Sequence, residues 1–114
     1  MAKFVKEFKG DFEKFVQYAE DCVRGGSVSA NLENSDDYTV NGTKVAVRVF
    51  ERYSAIGSNR VSLNLTIVGS GDMIHFSAIT SGGSQAMFFK INTFGEESFL
   101  HKFEDCVEKY LKHY

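Results

Sequence analysis

The chain has no proline and no tryptophan, and only two cysteines. Without proline there is no prolyl-isomer step in folding and no stiff linker to separate one unit from another. Charge of one sign is lacking too: thirteen Lys and Arg stand against fifteen Asp and Glu, for a formal net charge of −2. Proteins that hold nucleic acid usually present a basic face, so no nucleic-acid partner is expected. Nor is there an apolar run near the ~20 residues of a membrane span, and no membrane partner is expected. The opening residues, Met1-Ala2-Lys3-Phe4-Val5-Lys6-Glu7-Phe8-Lys9, lack the apolar stretch of a secretion signal, which points to a cytoplasmic location.

Signatures of site chemistry are equally scarce. The histidines are His75, His101 and His113, and no two share the i, i+4 spacing that aims a pair of ligands from one helical face. Neither cysteine lies in a Cys-x-x-Cys unit. No metal and no cofactor are therefore expected. A Gly-x-Ser-x-Gly elbow is missing, and no loop cysteine stands near a histidine, so no catalytic residue is assigned. The paired acids Asp36-Asp37 and Glu96-Glu97 read as a solvated loop and as charge at a helix N-terminus.

What is present describes one α+β domain spanning residues 1–114. At this length a chain buries about two-thirds of its unfolded surface and needs no staple to fold. Eleven Phe and five Tyr make an aromatic core the expectation. Phe4 to Lys9 reads as a strand ended by Gly10. Asp11 is placed to cap a helix that carries Phe12, Phe15, Val16, Ala19, Cys22 and Val23 at helical spacing, and Gly25-Gly26 stops it. Ser27 to Leu32 is expected as a strand and Glu33 to Asp37 as a loop. Tyr38 to Val47 is a hairpin around Asn41-Gly42, a pair suited to a type I′ turn, and its second strand runs on to about Tyr53. Arg60 to Val68 and Met73 to Thr80 alternate as strands, Met87 to Asn92 is the last strand, and a helix from near Glu96 closes the chain.

The expected order is thus β-α-β-β-β-β-β-α, an antiparallel sheet of five or six strands with two helices packed on one face. A helix-grip-like arrangement, with the final helix across a curved sheet, is the topology expected. Cys22 and Cys106 both fall on apolar helical stripes. They read as two buried, reduced thiols, with a helix-to-helix disulfide as the other arrangement the residues allow.

Certain segments carry a likeness. Gly26-Ser27-Val28-Ser29-Ala30, Glu51-Arg52-Tyr53, Ser81-Gly82-Gly83-Ser84-Gln85 and the run from Phe88 to Glu97 resemble a family of short uncharacterised bacterial proteins of about 110 residues. The likeness covers nearly the whole chain. It implies a stand-alone bacterial domain and supplies no activity, ligand or partner.

Two places invite function. If the strands alternate in direction, the loops at Gly25 to Ser27, Ala55 to Asn59 and Ser81 to Gln85 meet at one rim of the sheet. Arg52, Tyr53, Ser58, Asn59, Arg60, Ser81, Gly82, Gly83, Ser84 and Gln85 would then line a site for a small anionic ligand, the arginines gripping a carboxylate or phosphate. The ordinary reading is that hairpin ends collect Gly, Ser and Asn, and that the arginines pair with Glu51. The second place is the outer face of the sheet, away from the helices. There Arg48, Ser62, Asn64, Thr66, His75, Ser77 and Lys90 are expected, with the apolar Phe50, Ile79 and Phe88 among them as an interface. A bulge in the long strand would instead return Phe50 to the core. The functional expectation is a non-enzymatic binding module, a homodimer through the outer face. The alternative is a small-molecule binder, for an anionic or an apolar ligand, or a weakly signalled enzyme, at the Gly/Ser loop rim.

Overall fold

A computed structural model of the chain describes residues 2–26, 30–53, 60–82 and 89–113. The elements are β1 (Ala2–Lys9), α1 (Phe12–Gly26), β2 (Asn31–Val40), β3 (Thr43–Tyr53), β4 (Arg60–Ser70), β5 (Met73–Gly82) and α2 (Phe89–His113). The five strands form one antiparallel sheet in the order β1-β5-β4-β3-β2. The fold is α+β, as the patterning implies.

Local chemistry sets the boundaries. Asp11 caps α1: its Oδ1 accepts from the Lys14 amide at 2.9 Å and its carbonyl from the Phe15 amide at 3.0 Å. Asn41 and Gly42 take φ of 51° and 81°, the left-handed pair that a type I′ hairpin requires. That turn sets Val40 opposite Thr43 and carries the register up the hairpin.

Chain order forces a crossing. β1 and β2 flank α1 in sequence but occupy opposite edges of the sheet, so the connection that contains α1 passes over one face. α2 then packs beside α1 and against β1, β5 and β4, while α1 reaches β4 and β3. Between helices and sheet lies an aromatic core. The Phe76 ring is 5.1 Å from Phe15, 5.6 Å from Phe4 and 6.1 Å from Phe103, and all four side chains are buried. Tyr18 OH donates to the Cys106 carbonyl at 2.9 Å, and a disulfide joins Cys22 of α1 to Cys106 of α2. The expectation of two reduced thiols is corrected by this bridge. Both apolar stripes face the same core, which brings the two Cα atoms to 5.8 Å, within bonding range for a disulfide.

Three further expectations change. The segment Glu33 to Asp37 is not a loop but the middle of β2, with a bulge between Leu32 and Asn34. Polarity misleads there because β2 is an edge strand whose residues stay in water. The described part of the segment read as a last strand, from Phe89 to Asn92, belongs to α2. A four-residue alternation cannot separate strand from helix, and the long helix that follows extends through it. Finally, Arg48 and Phe50 face inward, and β3 has no bulge against β4. Phe50 sits opposite Leu63 and Arg48 opposite Leu65, so the even-numbered residues of β3 share the buried face of β4.

Among the described residues, no helix is long and apolar enough to cross a membrane.

The Cys22–Cys106 bridge closes 84 residues of chain. Reducing it is expected to lower the unfolding free energy by about 2–4 kcal/mol, with the far-ultraviolet circular dichroism unchanged. Urea unfolding of the oxidised and reduced forms checks this. Coincident midpoints would show that the helices need no tether.

Candidate functional site

At the expected rim, the register lines up Asn31, Glu51, Ser62 and Ser81 across four strands. The strand ends that lead into the three loops therefore do share one end of the sheet. Ser58, Asn59, Gly83, Ser84 and Gln85 lie outside the described residues, and Tyr53 ends β3. Arg60 hydrogen-bonds to Glu51, whose other oxygen accepts from Ser62 Oγ at 3.4 Å. Arg52 is half-buried on the inner face, and burial holds its guanidinium below the ordinary arginine range. Gly82 has φ of 117°, and a Cβ there would overlap the Arg60 carbonyl oxygen. One rim glycine is thus required by the backbone of its own neighbour strand.

On the outer face, His75 is exposed and lies 4.0 Å from Glu7, and Ile79 is half-buried. Phe50 is not there: it is fully buried under the helices. Phe88 lies outside the described residues. Ser62, Asn64, Thr66, His75, Ser77 and Ile79 share this face by register, as expected, but its other apolar residues were not anticipated. Val45, Val47 and Val49 of β3 point outward, half-buried, beside Val68 of β4. Tyr38, Val40 and Met73 extend the patch toward the turns, with exposures of 47, 55 and 37%. The only sequence signal for this was parity, counted from the Asn41-Gly42 turn and carried across to β4.

A third place escaped sequence reading. α1 and the β2–β3 hairpin enclose an open cleft of about 400 Å³, floored by Phe12 and Val16. Arg48 is its centre. Its Nε donates to Glu20 of α1 at 2.5 Å, and its Nη1 and Nη2 donate to the two oxygens of Asp37 at 2.8 and 3.3 Å. The Arg48 side chain is 9% exposed, Glu20 15% and Asp37 64%. Burial opposes the charge of Arg48, but its hydrogen bonds to Asp37 and Glu20 outweigh it and raise the guanidinium above its ordinary range. At the cleft mouth, Lys44 donates to Glu13 at 2.6 Å, and this bond lowers the Glu13 carboxyl below the usual carboxylate range. These charges satisfy one another. No nucleophile stands beside a base in the cleft, and among the described residues no group of three His, Cys, Asp or Glu is placed to hold a metal.

An antiparallel sheet with one face under two helices and the other face open defines the class: a small two-layer α+β domain. Within that class the chain belongs to the family of unknown function DUF6054, whose members match residues 1–111. No curated protein matches it. Among solved structures, it overlaps TTHA0849 from Thermus thermophilus with TM-score 0.37 and 9% identity, covering 96% of this chain and 97% of that one. It overlaps Chr148 from Cytophaga hutchinsonii with TM-score 0.38 and 13% identity, covering 98% and 94%.

The cleft makes a stability prediction. Glu20→Ala strands a buried cation on its remaining partner and is expected to lower stability by about 1–3 kcal/mol. Arg48→Met removes the buried charge itself, keeps the packing and should lower it by less. Thermal or urea unfolding of the two variants ranks them, and the reverse ranking would show that the buried cation does not govern the network.

Proposed function

We propose that the chain is a non-enzymatic binding module that pairs with a second copy of itself through the outer face of its sheet. One observation carries this reading. From the turn end to the Val49 row, the outward positions of the three central strands hold no Lys, Arg, Asp or Glu. An open sheet face that stays in water normally carries charge along its length, and an uncharged patch centred on valines is typical of a contact surface.

The size of the face supports the same reading. Five strands about 4.8 Å apart and about eight residues long make a face of about 600 Å². Two such faces remove about 1,200 Å² from water, the lower bound of a specific interface. The charge at its borders is self-complementary. Lys3, Glu7 and Lys9 point outward from β1, a net positive border, and Asp36 points outward from β2 at the opposite edge. A two-fold axis along the strands lays each β1 over the other copy's β2, which pairs these borders twice, as an isologous contact requires.

Small-molecule binding is the second reading, and its support moves from the rim to the Arg48 cleft. About 400 Å³ lies within the ~300–1,000 Å³ range of ligand sites. A cytoplasmic location belongs to the first reading. In that reducing compartment Cys22 and Cys106 would be open thiols, two buried hydrophobes under an intact core.

Native mass spectrometry of freshly purified protein is expected to show a dimer without added mass. Val47→Glu places a charge at the centre of the patch on a half-exposed side chain, so the variant should fold and run as a monomer. A monomeric wild type, or a dimer untouched by Val47→Glu, would remove the basis for the outer face. A monomer carrying a discrete adduct would favour the cleft. Alkylation in denaturant at the moment of lysis, which exposes buried thiols, tests location: modification of both cysteines fits the cytoplasm, and protection of both fits an oxidising compartment.

A further inference from the structure

The edge of the sheet at β2 is a different surface from its outer face. β2 runs ten residues, from Asn31 to Val40, and from Glu33 onward every one is exposed. Among the described residues it pairs on one side only, with β3. Every second residue therefore aims its N–H and C=O away from the protein, a template for one more strand. Such edges are commonly blunted by proline, by bulges and by charged side chains, lysine above all. β2 has neither proline nor lysine, its single bulge lies at the Leu32 end, and over the regular stretch from Asn34 to Val40 it relies on acids alone.

Two hollows flank this stretch, one on each side of the sheet. On the inner side is the cleft beside Asp37 and Thr39. On the outer side is a hollow of about 370 Å³ formed by Asn34, Asp36, Val47 and Val49. A strand laid along β2 sends successive side chains alternately to the two sides. The backbone edge thus comes with a place for side chains of either parity, the arrangement used where proteins capture an extended peptide by strand addition.

Charge selects the occupant. β2 carries Glu33, Asp36 and Asp37 and no basic residue. Two copies of β2 set edge to edge would bring these acids together, which disfavours self-pairing. We propose that β2 captures an extended, lysine- or arginine-bearing segment of a partner protein as a sixth strand. The other edge, β1, carries Lys3, Lys6 and Lys9 against Glu7 and has the opposite character. Pairing β1 of one copy with β2 of the next would be heterologous and would build a ring or a filament, whereas a partner segment fills the edge in a one-to-one complex. Face-to-face pairing of two copies leaves both β2 backbone edges and the inner cleft open but covers the outer hollow, which shares Asp36, Val47 and Val49 with the dimer patch, so in a dimer the captured strand uses the edge and the inner cleft.

The test uses the intact chain and two synthetic peptides of equal charge. One is the strand-former Lys-Val-Lys-Thr-Lys-Val-Lys-Thr, and the other has proline in place of both valines. Amide hydrogen exchange by NMR is the readout. The first peptide is expected to slow alternate amides between positions 33 and 40 by about tenfold or more, and the second to leave them unchanged. Glu33→Lys with Asp36→Lys, both exposed side chains, should weaken binding of the first peptide by about tenfold while preserving the rest of the spectrum. Three results would overturn the proposal. One is no binding of either peptide. Another is equal binding of both without slowed amides, which means charge alone. The last is peptide-free growth of large species with protection of β1 and β2 amides together, which makes the occupant a second copy's β1.

Discussion

Five strands about 4.8 Å apart make a sheet about 24 Å wide, and two helices packed about 10 Å apart cover about 20 Å of it at most. Everything distinctive in this fold follows from that shortfall. α2 takes β1, β5 and β4, α1 takes β4 and β3, and the inner side of the β2–β3 hairpin is left at the margin. The aromatic core accordingly sits under β1, β5 and β4, where Phe4, Phe76 and Phe103 meet Phe15. The cleft opens where the helical cover ends.

α1 is held differently on its two sides. Toward α2 it is fixed by ring contacts, by the Tyr18 hydrogen bond and by the Cys22–Cys106 bridge. Toward β3 it is fixed by charge: Glu20 grips Arg48 and Glu13 grips Lys44. The first attachment excludes water and is insensitive to salt. The second includes a pair at the cleft mouth, Lys44 with Glu13, whose exposed partners are open to screening. Local opening of the domain should therefore begin at the hairpin side of α1, where few apolar contacts resist it.

The topology also distributes contact surfaces. Because α1 carries the chain from one edge of the sheet to the other, β1 and β2 both end up as edges, and their compositions give those edges opposite charge. The outer face between them carries no Lys, Arg, Asp or Glu in its central strands from the turn end to the Val49 row. The proposed pairing of two copies would use the face, and the proposed strand capture the edge. These surfaces call for no catalytic group.

Much of the architecture was legible in the residues themselves. Asp11 as a cap, Asn41-Gly42 as a turn, the β4 alternation and the apolar stripe of α2 each act over a few neighbours, and local chemistry is enough to place them. The same local signals read β2 as a loop, because an edge strand in water is as polar as a loop. The candidate surfaces were less legible. Which side of β3 is buried depends on its pairing with β4, and a shift of one residue exchanges Arg48 and Phe50 for Val47 and Val49. No composition records that parity. Likewise Arg48 meets Glu20 and Asp37, and Cys22 meets Cys106, only after the chain has crossed the sheet. The sequence by itself determined the kinds of element and the class of fold, because those rest on short-range preference. Tertiary structure alone decided which residues face water and which charges meet, because those depend on partners distant along the chain.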